Sequence, residues 1–188
     1  MTVFYTASYF GKEKYQANYD LIREAIESFN VTLISPEKGN YLEVLSEEKR
    51  RELGDHNFIH YEAIRQGIHK ADCVIIEISQ EDFQLGHEAT LAIMDKKPVL
   101  CLSVHEDFSR KINNDYFSGA KYTADSVRGT IQDFFARVRE LSRSKRFNMF
   151  LYPSQLEYLA KAAGKQGMNN SEYIRHLINT DRRAVRDD

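Results

Sequence analysis

The length, composition and charge of the chain exclude several classes of protein. It has 188 residues, of which 42% are hydrophobic and 29% charged, and its apolar runs are far shorter than the roughly 20 residues of a membrane span. Both cysteines lie in apolar runs and the amino terminus lacks a signal-peptide pattern. We therefore expect reduced core cysteines and a cytoplasmic location.

Strand and helix patterns alternate through residues 1–143. Short β-rich or apolar runs predict four strands, at Val3–Thr6, Val31–Ile34, Cys73–Ile78 and Pro98–Ser103. Apolar residues at helical spacing predict four helices, at Tyr15–Phe29, Phe58–His69, His87–Met94 and Ser126–Leu141. The polar residues 36–56 are expected to form a loop or a loose helix. The alternation predicts an α/β domain, a doubly wound parallel sheet of the Rossmann or flavodoxin-like type, with ligands at the carboxyl ends of its strands.

The segment DFQLGHEATLAI carries the strongest chemical signal. Gly86 is expected to allow a tight turn, and Glu88 then falls in the first turn of a helix, where the macrodipole favours an ionised carboxylate. Such a group is suited to attack an anomeric carbon or to stabilise an oxocarbenium-like centre. The alternative interpretation is an ordinary acidic residue at a helix start.

This region resembles a known enzyme superfamily. The stretch ADCVIIEISQEDFQLGHEATLAIMDKKPVLCLS, with ASYF after the first strand, is similar to the nucleoside 2-deoxyribosyltransferases and the related deoxynucleotide N-glycosidases. The resemblance implies cleavage or transfer at the N-glycosidic bond of a (deoxy)nucleoside, with Glu88 as nucleophile in a Gly-x-Glu motif that includes Gly86. It implies no metal or organic cofactor.

The resemblance also assigns substrate-binding residues. It places Asp82 on the nucleobase, and Ser8 and Tyr9 in the loop that lines the sugar pocket. Asn113 matches a residue that holds a sugar hydroxyl in the pocket of a neighbouring subunit. Asp82 and Asn113 favour a free nucleoside over a nucleotide, because a desolvated carboxylate repels phosphate.

Two positions depart from the family pattern. Phe4 stands where the family has a tyrosine that orients the nucleophile, and the adjacent Tyr5 should point to the opposite face of its strand. Ile64 stands where the family has a general acid, a function typically worth about 10²–10⁴-fold in rate. We hypothesise that His60, one helical turn earlier, supplies the proton. The alternative function is a nucleoside- or nucleotide-sensing DNA-binding regulator with a degenerate pocket, and another N-glycoside such as NAD is a third possibility.

The carboxyl-terminal residues 144–188 form a second, basic module. From Arg137 onward there are 11 Lys and Arg against 6 Asp and Glu, although the whole chain has a net charge of −2. The stretch RFNMFLYPSQLEYLAKAAGKQGMNNSEYIRHLI resembles a ribbon-helix-helix module, with a strand over Phe147–Tyr152 followed by two helices. The resemblance implies a homodimer through paired strands, and Arg146, Asn148 and Phe150 would face DNA. The module either binds DNA or serves only for dimerisation.

Overall fold

A five-stranded, all-parallel sheet lies at the centre of the first of two units in this computed structural model, which describes residues 1–142 and 148–184. The units comprise residues 1–143 and 144–188. The strands are β1 (Thr2–Ala7), β2 (Thr32–Ile34), β3 (Cys73–Glu77), β4 (Val99–Ser103) and β5 (Phe117–Lys121). Their spatial order, β2-β1-β3-β4-β5, is the order of a flavodoxin-like doubly wound sheet, which confirms the predicted α/β class.

Helices cover both faces of this sheet and produce two separate apolar cores. The helices of the first unit are α1 (Lys12–Glu27), α2 (Glu47–Leu53), α3 (His56–Lys70), α4 (Phe83–Met94) and α5 (Val127–Ser142). Helices α1 and α5 pack against one face of the sheet. Helices α3 and α4 pack against the other face. Among the described residues, no helix combines the length and apolar character that a membrane crossing requires.

Burial on both faces explains why the sequences of the central strands are continuously apolar. Every residue of β3 and β4 is buried, because both faces of these strands are covered by helices. The edge strand β5, with the sequence FSGAK, was not predicted. Only Phe117 of its five residues is fully buried, so the strand lacks an apolar run.

Helix α4 begins four residues before its predicted start, which corrects the expected position of Glu88. Asp82 is the N-cap, and its Oδ1 accepts a hydrogen bond of 2.9 Å from the backbone N–H of Gln84. The predicted tight turn at Gly86 is therefore wrong, because Gly86 lies within the helix. Glu88 is the sixth helical residue and does not lie in the first turn.

The second unit contains two helices, α6 (Pro153–Lys165) and α7 (Asn170–Ala184), around a small apolar core. Gly167, with φ of 66°, ends the first helix region, and Asn169 and Glu172 exchange hydrogen bonds at the start of α7. These boundaries match the predicted helices. Residues 148–152 have no regular secondary structure, so the predicted strand is not seen there, and Arg146 and Phe147 lie outside the described residues.

Candidate active site

The candidate site lies at the carboxyl ends of β1 and β3. These strands are neighbours, but their following helices, α1 and α4, cover opposite faces of the sheet. The loops after such strands diverge and leave a crevice, which is where doubly wound sheets bind ligands. The loop after β1 is tied to the start of α4, because Ser8 Oγ donates a hydrogen bond of 2.8 Å to Asp82 Oδ2.

Glu88 lies beside Thr6 at the end of β1, and its two carboxyl oxygens are in different environments. The residue is 1% exposed. Its Oε1 accepts a hydrogen bond of 2.8 Å from Gln84 Nε2, and the Thr6 hydroxyl also hydrogen-bonds the carboxyl group. Its Oε2 is buried and accepts no hydrogen bond from the described residues. The arrangement holds the group through one oxygen and leaves the other without a hydrogen-bond partner among the described residues.

Burial controls the protonation of Glu88. Desolvation is the main reason that the pKa of Glu88 rises from 4.5 to about 7, and the nearby Asp82 charge raises the pKa further. The hydrogen bonds from Gln84 and Thr6 act in the opposite direction. The predicted stabilisation of an ionised Glu88 by the helix macrodipole rested on a first-turn position that Glu88 does not have, and desolvation instead dominates its pKa.

His60 approaches Glu88 through Gln84. Its Nδ1 lies 3.0 Å from the Tyr41 hydroxyl, and its Nε2 lies 3.2 Å from Gln84 Nε2. An amide nitrogen only donates, so His60 Nε2 accepts and its ring proton lies on Nδ1. Burial, assisted by the neighbouring His56, lowers the pKa of His60. The neutral imidazole thus supports the amide that holds the carboxylate.

The surroundings of Phe4, which stands where the family pattern has a tyrosine, show which hydroxyl group of β1 contacts Glu88. Phe4 packs on the α3 side of the sheet, where a Cβ built on Gly67 would lie 2.6 Å from the Phe4 ring. Tyr5 points to the opposite face, as predicted, and its hydroxyl donates to the Tyr19 backbone carbonyl at 3.0 Å. The Thr6 side chain lies on the same face of β1 as Phe4, two residues nearer the carboxyl end of the strand. Thr6 therefore supplies a hydroxyl to Glu88 that Phe4 lacks.

The other predicted substrate contacts are distributed around the opening. Tyr9 is 77% exposed and forms a short 3₁₀ turn with Phe10, and Phe83 at the start of α4 is 91% exposed. One of these exposed aromatic rings follows β1 and the other is the first residue of the helix that carries Glu88. Asn113 is exposed in the segment between β4 and β5, and no hydrogen bond joins it to the described residues around Glu88.

A second carboxylate of the first unit is buried besides that of Glu88. Glu77, at the end of β3, is fully buried on the α1 side of the sheet. It accepts hydrogen bonds from the Ser79 hydroxyl, the Ser79 backbone N–H at 3.2 Å and the Tyr122 hydroxyl at 3.0 Å. Ser79 Oγ in turn accepts from the backbone N–H of Val104 at 2.9 Å. Glu77 therefore fixes the loop that leads to Asp82.

Substitution of Gly86 by alanine is expected to stabilise the protein. A Cβ at Gly86 would meet no atom within 4 Å, and alanine is favoured over glycine inside a helix by about 1 kcal/mol. Chemical unfolding of wild type and Gly86→Ala measures the difference. A loss of stability would show that the backbone needs glycine here. Unchanged folding with weakened substrate binding would show that the new methyl group occupies substrate space.

Comparison with known proteins gives a relative of this chain. The chain is 32% identical over 102 residues to the 5-hydroxymethyl-dUMP N-hydrolase of Tetraodon nigroviridis, and the alignment covers 46% of this chain and 71% of the relative. No family model matches the chain. By its name, the relative is a hydrolase that acts on a nucleotide, which agrees with the resemblance to the deoxynucleotide N-glycosidases. The ribbon-helix-helix resemblance of the second unit receives no support from this comparison.

Proposed function

The chain belongs to the family of the 5-hydroxymethyl-dUMP N-hydrolase, and we propose that it cleaves the N-glycosidic bond of a nucleotide or nucleoside with Glu88 as the nucleophile. The observation that carries this proposal is the asymmetric environment of the Glu88 carboxyl group. One oxygen is held by Gln84, and the other is buried without a partner among the described residues. The proposal is also supported by the contact of Glu88 with Thr6 at the carboxyl end of β1, since doubly wound sheets bind ligands at the carboxyl ends of their strands.

The proposed reaction proceeds in two steps at the anomeric carbon. In the first, Oε2 of ionised Glu88 forms a bond to this carbon, and the bond to the base breaks with its electron pair leaving on the base, which gains a proton. In the second, water attacks the glycosyl ester, releases the sugar and regenerates the carboxylate. A free base in place of water gives transfer, so the same intermediate serves a hydrolase and a transferase. Attack requires the ionised group, so activity is expected to fall as the pH drops below about 7.

The residues around Glu88 complete this proposal. Ser8 is buried and hydrogen-bonds Asp82, and in this proposal the two residues would contact the sugar and the base. The exposed rings of Tyr9 and Phe83 would stack on the base. Proton donation by His60 remains a prediction, and undiminished activity of His60→Ala would dismiss it. A role for Asn113 requires a neighbouring subunit.

A trapped intermediate tests the proposed nucleophile. The protein is mixed with deoxynucleosides and their monophosphates, quenched in acid and digested, and the peptides are analysed by mass spectrometry. We expect a deoxyribosyl or deoxyribosyl-phosphate adduct on the peptide that contains Glu88. The adduct should disappear in Glu88→Gln and persist in Glu81→Gln, which changes an exposed carboxylate of the same loop. An adduct on another residue, or turnover by Glu88→Gln, would contradict the assignment.

For the second unit, we propose that residues 148–184 mediate homodimerisation. An apolar groove between α6, α7 and the preceding segment is lined by residues that include Met149, Tyr158 and Leu177. These three side chains are between 48% and 69% exposed in the single chain. A second copy of the same segment would cover this surface and supply a pairing partner for the extended residues before α6, as the ribbon-helix-helix resemblance implies.

Replacement of Leu177 by glutamate is expected to convert the dimer into a monomer, since a carboxylate in an apolar interface is strongly disfavoured. Sedimentation velocity of the full chain measures the change. Ile178→Glu is the matched control, because Ile178 is 53% exposed on the same helix and does not line the groove. A wild-type chain that sediments as a monomer would overturn the proposal. Electrophoretic shift with genomic DNA fragments tests the separate prediction that Asn148 and Phe150 contact DNA.

A further inference from the structure

The Gln84 amide nitrogen has two hydrogen-bond partners of different kinds. It lies 2.8 Å from Glu88 Oε1 and 3.2 Å from His60 Nε2, so its two N–H bonds serve a carboxylate and an imidazole. We propose that Gln84 is a positioning residue that couples the protonation of Glu88 to that of His60, so that the two groups gain protons together. This inference deepens the proposed function and rests on Glu88 as the nucleophile.

The coupling follows from the two orientations available to an amide. In the observed state, the NH₂ group of Gln84 faces both neighbours, which requires that neither Glu88 Oε1 nor His60 Nε2 carries a proton. If His60 gains a proton at Nε2, this N–H faces the NH₂ group of Gln84, and two donors cannot form a hydrogen bond. Rotation of the amide by half a turn then presents its oxygen, which accepts from His60. The same oxygen now faces Glu88, where it accepts a hydrogen bond from a protonated carboxyl group and is repelled by a carboxylate.

Both mixed protonation states are therefore less favourable than the two matched states, one by a lost hydrogen bond and the other by lost charge assistance. With His60 protonated and Glu88 ionised, neither amide orientation satisfies both neighbours. With His60 neutral and Glu88 protonated at Oε2, Oε1 still accepts from the Gln84 amide, but this hydrogen bond is no longer charge-assisted. Direct attraction between an imidazolium and a carboxylate acts against the coupling. Because the amide is interposed, the two groups are not in contact, which weakens this attraction.

The other groups that contact His60 and Glu88 do not connect these two residues. His60 is faced by the Tyr41 hydroxyl from the 3₁₀ turn before α2 and by His56 from its own helix. Glu88 is faced by the Thr6 hydroxyl from β1 and by the charge of Asp82 at the start of α4. Among the interactions that the structure describes, only Gln84 contacts both His60 and Glu88.

Two measurements test the inference, and the first needs no substrate. Nitrogen-15 NMR of the histidine side chains, with His60 assigned from a His60→Asn variant, gives the tautomer and the titration curve of His60. In wild type we expect a proton on Nδ1 and a titration steeper than a single-proton curve. Gln84→Met, which keeps the side-chain length but removes the amide, should restore a single-proton curve. Gln66→Met is the matched control, because Gln66 donates to Glu62 one helical turn away and does not contact His60.

The second measurement is the acid limb of the pH profile of kcat/KM. A slope of about two is expected in wild type and Gln66→Met, and a slope of about one in Gln84→Met. A proton on Nε2 of wild-type His60, or a single-proton titration that Gln84→Met leaves unchanged, would overturn the coupling. If the protein turns over no substrate, the proposed function fails, and the NMR titration still decides the coupling by itself.

Discussion

Replacement of Glu88 by glutamine is expected to abolish turnover and to stabilise the folded protein. Loss of the nucleophile should reduce kcat/KM by more than about 10³-fold. Burial raises the pKa of Glu88 from 4.5 to about 7, so the folded state holds this proton more tightly than the unfolded state. Stability then falls as the pH rises from about 4.5 to about 7 and stays reduced above that range. A neutral glutamine avoids the cost of the buried charge.

The expected gain is about 3 kcal/mol at pH 8, because each unit of pKa shift corresponds to about 1.4 kcal/mol. Urea unfolding at pH 8 and pH 5 measures it, and the advantage of Glu88→Gln should nearly vanish at pH 5. Equal stability of the two proteins at both pH values would contradict the burial of an ionisable Glu88. If Glu88→Gln loses activity but gains no pH-dependent stability, the assignment of Glu88 as nucleophile still holds. The explanation of its raised pKa by burial would then be contradicted.

Replacement of Glu77 by leucine is expected to have the largest effect on stability, a loss of about 3–5 kcal/mol. Leucine fills a similar volume but leaves the hydroxyls of Ser79 and Tyr122 and the Ser79 backbone N–H without their acceptor in a buried site. Glu77→Gln keeps one acceptor oxygen and should lose much less. Chemical unfolding of both variants measures the difference.

The exposed Glu81 provides a control for this experiment, because Glu81→Leu changes the same residue type in the following loop and should alter stability by less than about 0.5 kcal/mol. If Glu77→Leu is as stable as wild type, the hydrogen bonds to Glu77 do not hold the loop. If it unfolds more easily but retains full activity, the loop position does not depend on Glu77.

The central part of the fold could be predicted from the sequence because its elements have strong local signals. CVIIE and VLCLS are buried on both faces, and such strands must be apolar along their whole length. Strand β5 has no comparable run, because it lies at the sheet edge and pairs on one side only. The start of α4 was misplaced because Gly86 was interpreted as a turn and Asp82 as a substrate contact, although aspartate is also a favoured N-cap.

Local sequence indicated Glu88 as a candidate but did not indicate the groups that contact its carboxyl group. Gln84 lies one helical turn before Glu88, and Thr6 lies two residues after Phe4 on the same strand face, so both positions could have been recognised from spacing alone. The contact of His60 with Gln84 joins two helices and depends on their packing. The raised pKa of Glu88 likewise depends on burial, which a helix-start motif does not indicate.

The most direct test of the enzymatic assignment is base release from a panel of substrates. Purified protein is incubated with the common deoxynucleosides and their monophosphates, with and without a free acceptor base, and products are followed by chromatography beside Glu88→Ala. We predict free base, or an exchanged base, that forms with wild type and is lost in the variant. Preference for monophosphates would match the name of the relative, and preference for nucleosides would match the carboxylate at Asp82. Absence of turnover with every substrate would contradict an N-glycosidase function.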